Sequence, residues 1–143
     1  MKILDWQIYA LGSAFFAGAV AILAKIGIAD VPSNLATLIR TIVITLFLVV
    51  LVSVRSEWIN PSTINKKAFI FLILSGIATG LSWICYFRAL QLGPASLVTS
   101  IDKFSLVFTV LLAVLLLGER LNLLQWSGVA LMTVGALLIF WKK

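Results

Sequence analysis

Five apolar segments, each long enough to cross a bilayer, make up most of the chain. Because a hydrocarbon core about 30 Å thick needs about 20 helical residues, each segment is long enough to span it as a helix. A helix also satisfies its own backbone hydrogen bonds in lipid. The pattern predicts an all-α, polytopic membrane protein with one transmembrane domain over residues 1–143. Its five helices are predicted at 6–26, 33–54, 68–89, 95–117 and 123–141.

Short polar breaks with capping residues separate these segments. Ser33 or Asn34 is placed to cap the start of the second helix. Gly118 is suited to end the fourth helix, and Asn122 and Gln125 have the spacing of a capping box before the fifth. Because every connection is short, neighbouring helices are expected to be antiparallel, and no loop has room for a soluble domain.

Composition agrees with this interpretation and excludes several classes of protein. Hydrophobic residues are 62% of the chain and charged residues 11%, whereas soluble domains are about half apolar and about a quarter charged. The chain has no histidine and a single cysteine, Cys85, so the commonest general base and any intramolecular disulfide are missing. We expect a protein that is not an enzyme and that uses no metal, no cofactor and no nucleic acid.

The net charge of +6 divides almost evenly between the two sides of the membrane. We name side A the side that precedes the first helix and side B the side that follows the fifth. Because an excess of Lys and Arg marks cytoplasmic loops, an even division gives almost no preferred orientation. Either the chain inserts both ways or side A is weakly cytoplasmic. Side A has Lys2, Arg55, Lys66, Lys67 and Arg120, against Lys25, Arg88, Lys142 and Lys143 on side B.

Three further charges lie inside the helices at one expected depth. Arg40 is seven residues past Ser33, about 10 Å from side B at 1.5 Å per residue. Asp102 and Lys103 are seven and eight residues past Ala95, at about 10–12 Å from the same side. A charge at the centre of a membrane helix costs about 2.5–3.5 kcal/mol. Two interpretations stay open: a substrate or ion site, or a buried pair that only orients two helices.

The positions of these charges suggest separate roles. Adjacent helical residues do not face each other, so Arg40 is the expected partner of Asp102, and Lys103 is left to face a cavity. Asp102 is also the sole candidate for carboxylate-based proton coupling. Nearby hydroxyl and aromatic side chains either line the same cavity or serve helix back-bonding and an interfacial belt. The candidate substrate-binding residues are Arg40, Thr37, Trp83, Tyr86, Thr99 and Lys103, and the candidate charge pair or ion-coupling residues are Asp102 and Arg40.

Three stretches resemble one known family. They are 90–96 (LQLGPAS), 111–121 (LLAVLLLGERL) and 125–128 (QWSG). Together they resemble the EamA-type domain, which is the repeat of the drug/metabolite transporter superfamily, and the likeness covers essentially the whole chain. The end of the fourth helix at Gly118-Glu119-Arg120 is its most specific part.

The resemblance implies one half of an inverted-repeat transporter. Most members of the family carry ten helices as two inverted five-helix repeats, and this chain resembles one repeat alone. The family implies secondary transport of small metabolites through a central cavity lined mainly by the first, third and fourth helices. The chain departs from the pattern at Leu106, where many ten-helix members have proline. Its first helix also lacks the glutamate that smaller relatives use for proton exchange.

The resemblance and the even division of charge together predict an antiparallel homodimer of dual topology. Two identical five-helix chains form an inverted repeat only if they insert in opposite directions. We therefore expect a transporter or exporter of a small polar or amphipathic metabolite, surrounded by membrane lipids in a prokaryotic inner membrane. It is expected to work as a dimer by alternating access. The alternative is a non-transporting subunit or anchor that pairs with another membrane protein.

Overall fold

The computed structural model describes residues 5–140, and within that range it contains helices and turns and no strand. This confirms the all-α membrane fold. Four segments are long and apolar enough to cross a bilayer, and the last helix is shorter. We label the helices α1 (Asp5–Gly27), α2 (Ser33–Val54), α3 (Lys66–Leu92), α4 (Ala95–Asp102), α5 (Ser105–Leu112) and α6 (Leu123–Phe140).

The predicted helix ends agree with the structure except where polar residues extend a helix. α2 has the predicted bounds, but Pro32 precedes it and no side chain caps its amides. α3 is longer than the predicted 68–89 at both ends. Its start is capped by Asn65, whose Oδ1 accepts a hydrogen bond from the Lys67 amide at 2.9 Å. The helical hydrogen bonds therefore continue into polar residues that hydropathy does not mark. The predicted end of the fifth helix at Trp141 lies outside the described residues.

The fourth predicted helix forms one apolar span over Ala95–Leu117, as predicted, but its α-helical hydrogen bonding has an interruption at residues 103 and 104. The amide of Phe104 donates to the carbonyl of Ile101 at 2.9 Å, and the amide of Leu106 donates to that of Lys103 at 3.0 Å. Both bonds reach back three residues instead of four, which is the tighter 3₁₀ pattern. No proline or glycine lies between residues 95 and 112. The interruption is therefore not caused by a helix-breaking residue.

The caps around the connection from 118 to 122 are confirmed. Gly118 has φ +69°, the left-handed conformation that glycine adopts at no steric cost. It follows a wide π turn over Ala113–Leu117, where the Ala113 carbonyl accepts from Gly118 and Glu119. Asn122 and Gln125 bond reciprocally, each accepting from the other's amide at 2.8 Å. The capping box therefore starts α6 as its sequence predicts.

The contacts divide the chain into two units. Unit I is residues 23–92, and unit II contains residues 5–22 and 93–140 of the described chain. In unit II, α4 and α5 both pack against α6. In unit I, α2 packs against α3. That residues 1–143 form a single EamA-type domain stays a prediction.

Burial in unit I is confined to its side B end. No residue from 38 to 86 is fully buried, and most side chains of α2 and α3 in that range are exposed. The buried residues lie at the end of α1, in the first turn of α2 and in the last two turns of α3. They are Ala24, Ile28, Ala36, Thr37, Phe87 and Leu90.

Candidate functional site

Arg40 lies where α2 meets the last turns of α3, against two aromatic rings. Its guanidinium carbon is 5.3 Å from the centroid of the Trp83 ring and 4.6 Å from that of Phe87. Phe87 is fully buried, so the ring is fixed beneath the cation. Among the described residues of unit I, no acidic side chain forms an ion pair with Arg40.

The two rings help to keep Arg40 in the membrane without an acidic partner. A cation–π contact contributes about 0.5–2 kcal/mol, depending on how far it is desolvated. Two of them offset much of the cost of about 2.5–3.5 kcal/mol for a charge in a membrane helix. The guanidinium edge keeps its N–H donors for a ligand, because stacking uses only the faces of the group.

The packing of Phe87 can be tested by truncation. We expect Phe87→Ala to lower the stability of the purified protein in detergent by about 3 kcal/mol, the lower end for a buried phenylalanine. Phe69→Ala is the matched control, because Phe69 lies on the same helix with 47% of its surface exposed. Thermal unfolding should separate the two variants. Equal losses of stability would show that Phe87 is not packed as described.

The hydroxyl groups near Arg40 bond to their own helix. Thr37 is buried and donates to the carbonyl of Ser33 at 2.8 Å. Thr41 and Thr45 donate in the same way to carbonyls four residues earlier. Each hydroxyl oxygen keeps an acceptor site, but its proton is already used. Thr37 is therefore available to a ligand only as an acceptor. Tyr86 follows Trp83 by three residues and packs edge-on against Phe87 at 6.2 Å.

The other predicted site residues lie in unit II, at the interruption between α4 and α5. Asp102 is the last residue of α4 and Lys103 the first of the turn, and both side chains are exposed. The negative end of a helix already favours cations, so a carboxylate at the end of α4 favours a cationic partner. Thr99 is half-buried one turn earlier. The pairing of Arg40 with Asp102 stays a prediction.

A second polar cluster in unit I joins the side B ends of α1 and α3. Lys25 donates to the carbonyl of Leu90. The side-chain amide of Gln91 donates to the carbonyls of Ile28 at 3.3 Å and Val31 at 2.7 Å. We name these three bonds the clasp. Lys25 therefore caps the last turn of α3.

Gln91 also fixes the neighbouring arginine. Its Oε1 accepts from the Arg88 guanidinium at 3.1 Å, and the Arg88 side chain is exposed. Neither Gln91 nor Phe87 is among the site residues predicted from the sequence. Phe87 and Gln91 follow Trp83 at successive four-residue steps, so the spacing of one helix face points to both.

The sequence matches the model of the EamA-like transporter family over residues 4–141. The protein named "Uncharacterized transporter in cobO 3'region" from a Sinorhizobium species is 49% identical over 135 residues, which cover 94% of this chain and 96% of that protein. Protein RarD of Salmonella typhi is 31% identical over 98 residues, which are 66% of this chain. No solved structure gives a significant match.

A third relative is a named subunit. The probable 4-amino-4-deoxy-L-arabinose-phosphoundecaprenol flippase subunit ArnE of Yersinia pestis (strain Pestoides F) is 34% identical over 71 residues. These cover 50% of this chain and 62% of ArnE.

The relatives differ in length. The Sinorhizobium protein is about as long as this chain, because the match covers nearly all of both. The match spans only 33% of RarD, which is therefore about twice as long as this chain.

Proposed function

The chain belongs to the EamA-like transporter family, and on that premise we propose that it is a half-size secondary transporter or exporter. Its substrate is a small polar or amphipathic metabolite with an anionic group. The observation that carries the proposal is Arg40, a membrane-embedded cation held by two rings with no acidic partner in its own unit. The protein works by alternating access and is not an enzyme.

The membrane location does not depend on this proposal. Four described helices are long and apolar enough to cross a bilayer, and the relatives are bacterial. The protein is therefore a multi-pass integral protein of an inner membrane.

Arg40 and Lys103 recognise the anionic group in the proposed mechanism. The planar guanidinium gives bidentate hydrogen bonds to a carboxylate or phosphate, and the exposed Lys103 ammonium adds a second positive charge. Trp83, Tyr86, Thr37 and Thr99 contact the rest of the molecule. The coupling role is assigned to Asp102, because it is the sole acidic residue within the predicted membrane helices.

The proposed active form is an antiparallel homodimer in which two copies insert in opposite directions. The length of RarD, about twice that of this chain, supports a functional unit of two repeats. The even division of basic residues between sides A and B supports insertion both ways. Alternating access then moves the two halves about a site near the midplane.

Substrate class and the role of Lys103 can be tested together by thermal shift. Small carboxylates, phosphate monoesters, amino acids and organic cations are screened for stabilisation of the purified protein. A ligand at 100 times its Kd adds about 2.7 kcal/mol. We expect anions to stabilise it and organic cations to have no effect.

For the best ligand, Lys103→Ala should weaken binding about tenfold or more. It removes a charge-assisted contact of about 1.5–3 kcal/mol, and Lys103→Arg should restore most of the affinity. Ile101→Ala, an exposed neighbour on α4, is the control for damage to the helix end. Unchanged affinity in Lys103→Ala would leave this residue without a role in binding.

A second candidate function is a subunit of a heteromeric transporter. It is favoured by ArnE, which is named a flippase subunit. In that case the purified chain stays monomeric and none of the ligands stabilises it. A stable homodimer that binds an anion would exclude a subunit that depends on a different partner.

A further inference from the structure

In unit I, the fully buried residues and the clasp lie at the same end. Its buried residues all belong to the side B end, and none lies between 38 and 86. The clasp, in which Lys25 and Gln91 bond main-chain carbonyls, joins separate elements at the same end. The ring contacts of Arg40 lie in the same half of α2.

The bonds of the clasp are of the kind that resists opening in a membrane. Away from bulk water, an unpaired carbonyl is costly, and a lysine ammonium makes a charge-assisted bond. Gln91 donates to two carbonyls of the connection between α1 and α2, and its Oε1 is occupied by Arg88. The side-chain amide of Gln91 is therefore held through both its nitrogen and its oxygen.

The side A end of unit I has no comparable bonds among the described residues. The Trp58 indole donates to the Ser53 hydroxyl at 3.0 Å, which joins α2 only to its own loop. Arg55 and Glu57 are 3.9 Å apart, and both are exposed. Exposed pairs of this kind contribute little to stability. At side A, these polar contacts therefore do not join α2 to α3, and Leu51, Val52 and Ile64 are only half-buried there.

We propose that the clasp is a pivot, about which α2 and α3 separate and approach at side A while their side B ends stay fixed. The use of this motion in alternating access rests on the proposed function, but the motion itself does not. In an oppositely inserted pair, each membrane side receives the clasped end of one chain and the free end of the other. One pivot per chain then supplies a movable end at both sides of the membrane.

The pivot is tested by distance measurements between spin labels on the full chain in lipid vesicles. In a Cys85→Ser background, the side A pair is Val54→Cys with Ala68→Cys, and the side B pair is Asn34→Cys with Leu92→Cys. All four native side chains are exposed. Labelled protein is mixed with excess unlabelled protein, so that only distances within one chain are observed. We expect the side A distribution to be about twice as wide as that at side B.

The role of the clasp is tested with Gln91→Glu. This variant keeps the acceptor for Arg88 but loses the donors to Ile28 and Val31, and it should widen the side B distribution about twofold. Gln125→Glu is the matched control, because Gln125 acts through its Oε1 acceptor. Lys25→Met, which removes the ammonium group and keeps an unbranched apolar side chain, provides a second variant if Gln91→Glu does not insert.

Equal widths at the two ends of the wild-type chain would overturn the pivot. A side B distribution that stays narrow in the inserted clasp variant would overturn the role of the clasp. These distances need no ligand. A failure of the pivot is therefore distinguishable from the absence of substrate binding, which would contradict the proposed function alone.

Discussion

Replacing Arg40 by leucine is expected to abolish binding of anionic substrates and at the same time to make the protein more stable. Leucine removes the charge that costs about 2.5–3.5 kcal/mol in a membrane helix, and only part of that cost is offset by the rings. It also removes the group proposed to bind the anion. Thermal unfolding and ligand-induced thermal shift of the same preparation measure both effects.

Arg40→Lys separates charge from geometry. Lysine keeps the positive charge but not the planar donors, nor the stacking on Trp83 and Phe87. We expect anion affinity to fall about tenfold to a hundredfold, the effect of losing about 1.5–3 kcal/mol of charge-assisted bonding. Arg88→Lys is the control, because Arg88 is exposed at the end of the same unit.

Opposite outcomes would identify the other interpretation of the intramembrane charges. If Arg40 only orients helices, Arg40→Leu should lower stability, because an unpaired carboxylate is left behind. Anion binding that survives Arg40→Leu would contradict the proposed recognition.

The second large effect is expected in the orientation of the chain. A cysteine added after Lys143, in a Cys85→Ser background, should react with a membrane-impermeant maleimide in about half of the molecules in intact cells. The same labelling in permeabilised cells gives the total number of molecules with a reactive cysteine. Labelling of nearly all or nearly none of the molecules would contradict dual topology.

Changing a few charges should also change the orientation in which the chain inserts, and transport activity should depend on that orientation. Glu57→Lys with Ser62→Lys raises the basic residues on side A from five to seven, against four on side B. Lys66→Gln, Lys67→Gln and Asp30→Lys together leave three on side A against five on side B. We expect each variant to insert mainly in one direction, because excess basic residues remain cytoplasmic.

Each variant that inserts mainly in one direction should transport little when it is expressed alone. Co-expression of the two variants should recover most of the wild-type transport activity. The recovery arises because an inverted pair needs one chain of each orientation. Full activity from either variant alone would contradict the antiparallel dimer. Transport activity that co-expression does not restore would also contradict the antiparallel dimer.

The elements predicted correctly are those whose signals are local in sequence. α2 begins directly after Pro32 and ends at Val54 before a run of polar residues, and the structure has those bounds. Gly118 and the box of Asn122 and Gln125 depend on residues at most three apart. Local chemistry of this kind does not require knowledge of the packing.

The missed features depend on residues far apart or on single hydrogen bonds. Phe87 resembles any lipid-facing phenylalanine until α2 places Arg40 over its ring. Gln91 bonds carbonyls 60 and 63 residues away, which no periodicity reveals. The interruption after Asp102 changes the hydrogen-bond spacing by one residue, while the hydropathy of the segment stays that of a continuous helix.

The interruption in the fourth segment is reversible in a way that a proline kink is not. Leu106 keeps its amide hydrogen, which donates to Lys103 in this structure and would donate to Asp102 in an unbroken α-helix. Each residue that changes from 3₁₀ to α geometry shortens the segment by about 0.5 Å and rotates the rest of the helix by about 20°. If the segment becomes α-helical throughout, α5 therefore both shifts along the helix axis and rotates about it. A thinner bilayer favours this shorter, rotated form.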